Sequence, residues 1–215
     1  MRDFGEYITG LVMGLPNGEI FNTEMIAQKV VERFELSMQH AKAVTNNQLK
    51  RLTDAGHIDR IQKGIYFKAK CTVFGKVRPN LDGYAIQLLT TQGKQIIGYV
   101  TGAAFMNRIG LTTLMPKEIE IVSNQFRRIL PAGCHVAVKR PAVDINRENY
   151  RYLQLLDAID DLEEFHVDAE NPYELIRAAA REREVAPLDL IFYARKHYPV
   201  KTLLRTVDIF TGVQE

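Results

Sequence analysis

The chain of 215 residues is 46% hydrophobic and 25% charged, with a formal net charge of +2. This is the balance of a globular protein with apolar surface for real cores, and its length suits two domains. No apolar run approaches the ~18 residues that span a bilayer, and two cysteines, Cys71 and Cys134, are too few for a disulfide scaffold. The N-terminus lacks the charged-then-apolar pattern of a secretory signal, so a cytoplasmic protein with no membrane partner is expected.

Residues 2–15 follow helical spacing through Phe4, Ile8, Leu11, Val12 and Leu15, until Pro16-Asn17-Gly18 breaks the pattern. Glu19-Ile20-Phe21 is a short extended piece. Asn22 is a suitable N-cap for a helix reaching Phe34, with Glu24 in its first turn and Met25, Ile26, Val30 and Phe34 as its apolar stripe. Ser37 caps a further helix that stops at Gly56. His57 to Ile61 then turns through Gln62-Lys63-Gly64 into Ile65-Tyr66-Phe67-Lys68. The order helix, turn, helix, two-stranded wing predicts a winged helix-turn-helix over residues 1–70, a DNA-reading module.

At about 100° per residue, the helix after Ser37 turns Ala41, Thr45, Gln48, Leu49 and Leu52 to a core. Its other side carries Gln39, Ala43, Asn46, Asn47 and Lys50, with Lys42 and Arg51 at the edges. Amides can bond base edges in pairs, and cations reach bases or phosphates, so Gln39, Asn46, Asn47 and Lys50 are the candidate base readers. Lys42, Arg51, Arg60 and Lys63 complete the DNA-binding set, and Lys68 and Lys70 add charge on or just past the wing. Amide-rich readers favour adenine, which points to A·T-containing repeats.

Residues 71–80 lack periodicity and read as a linker to a second domain, 81–215. There the pattern predicts a helix over Leu81–Thr91 and a buried strand over Gln95–Val100. A short helix over Ala103–Ile109 and strands at 118–122 and 134–139 follow, and helices dominate from about Arg147. Asn171-Pro172-Tyr173-Glu174 combines an N-cap, a first-turn proline and a carboxylate three residues on. The fold class expected is α+β, a winged helix followed by a mixed α/β domain with a small sheet and a helical tail. Charge shifts along the chain, from an excess of +2 in residues 1–70 and +6 in 71–140 to −6 in 141–215. That distribution suits DNA at one end and a protein contact at the other, and equally a tail of solvated helices.

The phrase from Tyr99 to Pro116, with Thr101, Gly102, Asn107, Gly110 and Thr112 and the strand at 118–122 behind it, resembles the AbiEi family. Leu49, Leu52, Gly56, Ile58, Gly64, Ile65 and Tyr66 extend the resemblance upstream. The family comprises the antitoxins of AbiE-type (type IV) toxin–antitoxin, phage abortive-infection operons. The resemblance implies a winged helix that represses its own operon at promoter repeats. It also implies a C-terminal domain that counters a nucleotidyltransferase toxin, with direct contact between the two left open. It supplies no catalytic residue, so the quoted positions carry a structural or interaction role. Gly102 permits a tight strand-to-helix turn, and Gly110 suits a helix C-cap.

No phosphate-binding loop occurs, and His40, His57, His135, His166 and His197 lack metal-ligand spacing. No catalytic, cofactor or metal residue is therefore assigned. Asp157, Asp160, Asp161, Glu163 and Glu164 crowd one helix end and read as a solvated or partner-facing acidic surface. Arg177, Arg181, Arg195, Lys196, Lys201 and Arg205 recur on the last helices, where Glu174, Glu182 and Glu184 can pair with them. The leading expectation is a DNA-binding autorepressor and antitoxin. The alternative is a stand-alone winged-helix regulator whose C-terminal domain senses a ligand or another protein. An enzyme targeted by the winged helix would need a convergent polar site, of which the sequence gives no sign.

Overall fold

The computed structural model describes residues 4–69, 71–73, 75–77 and 79–212, and is of the mixed α+β class, 51% helix and 15% strand. The chain divides into two units, Met1–Tyr84 with Leu130–Cys134, and Ala85–Ile129 with His135–Glu215. Among the described residues no helix is long and apolar enough to cross a membrane.

The first unit opens with α1 (Phe4–Met13), β1 (Ile20–Asn22), α2 (Thr23–Phe34) and α3 (Met38–Asp54). Asn22 caps α2, its Oδ1 accepting from the Met25 N–H at 2.8 Å, and Ser37 caps α3 through the His40 N–H at 3.3 Å. At the far end of α3, Gly56 takes a left-handed φ of 74°. Its N–H reaches the Thr53 carbonyl at 2.9 Å, and the His57 N–H reaches Leu52 at 3.0 Å. These bonds close the helix and redirect the chain. β2 (Asp59–Gln62) and β3 (Ile65–Phe67) follow, and the sheet runs β1-β3-β2 with all neighbours antiparallel. Gly64, at φ 79°, makes the β2–β3 turn, and a bulge between Arg60 and Gln62 lets Ile61 pack beside Ile20, Ile65 and Phe67.

Ile8, Val12, Phe21, Ile26, Val30, Ala41, Leu49, Leu52 and Ile58 form one apolar core under the three helices. Each large member buried there is worth about 1.5–3 kcal/mol against exposure. Within it the Thr45 hydroxyl is buried and has no hydrogen-bond partner among the described residues. Thr45→Val keeps the shape and removes the stranded hydroxyl, so it is expected to stabilise the folded unit by about 1 kcal/mol, read from the denaturant midpoint.

Residues 71–80, expected to be a bare linker, hold a small hairpin of β4 (Cys71–Thr72) and β5 (Gly75–Lys76), with Lys76 bonded to Asp59 at 3.0 Å. α4 (Leu81–Thr90) begins in the first unit, where Leu81 and Tyr84 pack near Ile20 and Phe67.

The second unit continues with β6 (Thr91–Gln92), β7 (Gln95–Ile96), β8 (Gly98–Thr101), α5 (Gly102–Arg108), β9 (Ile119–Ser123) and β10 (Val136–Lys139). The single strand predicted over 95–100 is in fact two: Gln95 and Ile96 pair with β6, a ladder that Ile97 extends to the Thr90 carbonyl at 2.9 Å, and Gly98–Thr101 pair instead with β9. The sheet order is β10-β9-β8, with β8 antiparallel and β10 parallel to β9. After it come α6 (Tyr150–Asp160), a 3-10 turn at Asp161–Glu163, α7 (Pro172–Glu182), α8 (Pro187–His197) and α9 (Val200–Thr211). α6 is the central helix, burying Leu153, Leu155, Leu156 and Ile159, and its Gln154 side chain bonds the Val100 carbonyl at 2.7 Å. Asn171 makes no side-chain cap for α7. Glu174 instead bonds Arg177 at 2.9 Å and Arg181 at 2.8 Å, as pairing along the tail predicted.

The Asn107–Pro116 phrase has a structural basis. Gly110, at φ 80°, closes α5, with the Gly110 and Leu111 N–H groups bonded to Asn107 and Met106. The Asn107 amide then donates to the carbonyls of Thr112 (3.1 Å) and Leu114 (3.3 Å). From the other side, Asp168 accepts from the Thr113 N–H and hydroxyl, both at 2.6 Å. The loop so held presents Leu114 and Met115, the latter 84% exposed.

Candidate functional site

Two places collect polar side chains that the core does not explain, one in each unit. In the first, α3 buries Ala41, Thr45, Leu49 and Leu52, as its periodicity requires, and Gln48 bonds the Thr9 hydroxyl at 2.9 Å. The opposite side stands in solvent. Gln39, Asn46, Asn47, Lys50, Arg51, Arg60 and Lys63 are exposed and Lys42 is half-buried.

These eight are not equivalent. Lys42 pairs with Glu24 at 2.9 Å, and Asn46 Oδ1 accepts from the Thr23 hydroxyl at 3.0 Å, so both are tied to the start of α2. Arg60 folds back to the Gln62 carbonyl at 3.4 Å. The side chains of Gln39, Asn47, Lys50, Arg51 and Lys63 have no hydrogen bond or ion pair among the described residues. Lys68, expected on the wing, instead bonds the carbonyls of Met13 and Leu15 and closes the end of α1. Lys70 lies outside the described residues.

The second place corrects the reading of Asp157, Asp160 and Asp161 as part of a solvated or partner-facing surface, while Glu163 and Glu164 are exposed. Asp157, on α6, accepts from the hydroxyls of Tyr99 (3.0 Å) and Thr101 (3.1 Å) on β8, and of Tyr198 (2.5 Å) after α8. Asp160 accepts from Thr202, while Glu163 pairs with Arg205 and, at 3.8 Å, with Lys201. The bonds of Asp157 and Asp160 are inward, those of Glu163 are on the surface. A cleft of about 220 Å³ lies among Tyr99, Thr101, Lys139, Asp157, Asp161 and Tyr198.

Burial pushes the Asp157 carboxyl up, against the three hydroxyls that favour its charged form. Geometry agrees. Tyr198 Oη lies 2.5 Å from Asp157 and 3.1 Å from the Leu153 carbonyl, yet a hydroxyl has one proton. A protonated Asp157 donates to Tyr198, which then donates to Leu153, and both contacts become hydrogen bonds. Asp161 is pushed to about 7, first by burial and then by the repulsion it would meet from an ionised Asp157. Burial and Asp157 also raise both tyrosines, which stay neutral. Burial opposes the charge on Lys139, but Glu120, at 2.8 Å, outweighs it. Strand register puts Tyr99, Val122 and Lys139 in one row and Thr101, Glu120 and Ala137 in the next, on a single face of the sheet.

Reasoning from sequence missed Tyr99, Thr101, Lys139 and Tyr198 as members of one cluster. The usable signal was polar residues alternating on a strand read as buried. Among the described residues no three of His, Cys, Asp and Glu are grouped as metal ligands would be.

Compared with known families, residues 26–141 match one profile, more than half of the chain. The chain belongs to DUF6088, a family of unknown function. The DUF6088 match takes in all but the first turn of α2, then α3, the β2–β3 hairpin and all three strands of the second sheet, and ends before α6. Tyr99, Thr101, Glu120 and Lys139 thus fall inside the DUF6088 region, and Asp157 and Tyr198 outside it. No curated protein matches the chain.

Proposed function

We propose that this DUF6088 protein is a cytoplasmic DNA-binding autorepressor and the antitoxin of an AbiE-type operon. Residues 1–70 act as a winged helix-turn-helix: α3 enters the major groove, and the β2–β3 hairpin is the wing beside the backbone. The observation that carries this reading is the unengaged amide and cationic face of α3, followed directly in the chain by a hairpin bearing Arg60 and Lys63. Gln39, Asn47 and Lys50 read bases and Arg51 and Lys63 hold phosphates. Lys42 and Asn46 join once they exchange Glu24 and Thr23 for DNA. The second unit counters a nucleotidyltransferase toxin, as the resemblance to AbiEi antitoxins implies.

Fluorescence anisotropy with the DNA upstream of the gene, across several salt concentrations, tests the DNA reading. Asn47→Ala/Lys50→Ala/Arg51→Ala is expected to lose about 1–3 kcal/mol for each base-reading side chain. It should also flatten the salt slope by about one unit for every phosphate that the variant leaves untouched. Equal, weak binding of both proteins to any DNA would refute it. The charged cleft around Asp157 and Asp161 favours a second reading, a stand-alone regulator with a ligand-sensing second unit. The absence of a neighbouring nucleotidyltransferase gene would select it.

A further inference from the structure

Four large apolar side chains stand in solvent on the last two helices. On α8 these are Leu188 (81% exposed) and Phe192 (60%), and on α9 Val200 (71%) and Leu204 (58%). Each pair is four residues apart, so each lies along one stripe of its helix. The other sides are spent on the core, through Leu190 and Ala194 on α8 and Thr202, Thr206 and Ile209 on α9. Single exposed leucines are ordinary, whereas two such stripes on consecutive helices ask for a cover, and the one on α8 also carries charges.

The charges on α8 identify the occupant. Asp189 lies three residues before Phe192 and Arg195 three after, and all three are exposed. Arg195 and Lys196 have no ion pair among the described residues, and Asp189 has only a 3.5 Å contact from the Tyr152 hydroxyl. An acid and a base placed symmetrically about an exposed aromatic are complementary to themselves turned through 180°.

We infer that this face binds a second copy of the chain across a two-fold axis, with the two α8 helices antiparallel and Phe192 at the axis. Asp189 then meets the partner's Arg195, and Leu188 lies on the aliphatic stem of the partner's Lys196. Symmetry makes each contact twice, and the antiparallel helices oppose their dipoles favourably. A foreign protein would need only an acidic rim around an apolar patch; spacing of three residues either side of Phe192 is a condition that self-pairing uses. The patch is small, so the dimer is weak, with a dissociation constant of about micromolar or above. The inference is independent of the DNA reading.

Sedimentation velocity of the full chain, from low to high micromolar concentration, is the test. The wild type is expected to shift from monomer to dimer, and Phe192→Glu to weaken that association about tenfold or more. Asp189→Arg and Arg195→Asp should each weaken it about threefold to tenfold, and the double exchange should restore it. Circular dichroism of each variant checks that the fold is kept. A wild type that stays monomeric overturns the inference and leaves the face to a different protein. A dimer indifferent to Phe192→Glu, or one not rescued by the double exchange, overturns it as well.

Discussion

Gly98→Ala is expected to cost the second unit about 3 kcal/mol or more. A Cβ on Gly98 would lie 2.3 Å from the Leu89 carbonyl oxygen, 2.6 Å from that of Val122 and 3.2 Å from the Ser123 Cα. None of these atoms belongs to a side chain that can swing away. Leu89 is fully buried near the end of α4, and its carbonyl also accepts from the Ser123 hydroxyl at 2.6 Å. Val122 and Ser123 are on β9, in register with β8. Relief would require α4 and the sheet to separate, which breaks the Ile97–Thr90 and Asn124–Ile97 bonds that seat the strand. Thermal unfolding followed by circular dichroism should show the loss, while Gly93→Ala, with open space around its Cβ, should cost only its local backbone strain at φ 60°. A Gly98→Ala protein as stable as wild type would mean that α4 does not approach β8 this closely.

The second large effect is on pH dependence and centres on Asp157. Burial raises the Asp157 carboxyl, and raises Asp161 from an ordinary value of 3.8 to about 7. Between those values the folded chain therefore binds more protons than the unfolded one, and stability falls as pH rises through the window. The melting temperature is expected to drop from about pH 5 to about pH 8. Starting near pH 5 avoids the opposite behaviour of Asp168, whose carboxyl the Thr113 bonds hold below the usual range. His197, which burial holds below its ordinary 6.5, opposes the drop only up to about that pH.

Asp157→Asn mimics the protonated acid. Its amide can donate to Tyr198 while its oxygen accepts from Tyr99 and Thr101. It should match wild type near pH 5, exceed it near pH 8, and leave only the share belonging to Asp161. Asp157→Ala instead strands the hydroxyls of Tyr99 and Thr101, while Tyr198 keeps the Leu153 carbonyl. It is expected to cost about 3 kcal/mol near pH 5, and less as pH rises and the wild type loses the share of Asp157. An unchanged pH profile in Asp157→Asn would show that the carboxyl is ionised throughout.

Local signals explain which parts of this architecture could be read in advance. The caps at Asn22 and Ser37, the stop at Gly56 and the turn at Gly64 are short-range devices, and each appears where its residue type requires. The two faces of α3 follow from helical periodicity alone. The setting of Asp157 within the acidic run is hidden because it is distant in sequence: the hydroxyls of Tyr99 and Tyr198 lie 58 and 41 residues from Asp157. A run of carboxylates on a helix looks solvated until the opposing strand is known. Lys42, Asn46 and Lys68 each have a partner that periodicity does not show, since a polar side chain gives no indication of whether a neighbouring helix end will claim it. The break at Ile97 is equally hidden, because it is a change of partner from β6 to the distant β9.

The loop from Thr112 to Pro116 has a thermodynamic consequence. An ordinary exposed loop surrenders its conformational freedom when something docks on it, and that loss is subtracted from the affinity. Here Asn107 from one side and Asp168 from the other fix the backbone as part of folding. Leu114 and Met115 are thus held in water in a set geometry, and whatever meets them gains their apolar surface without having to order the backbone that carries them.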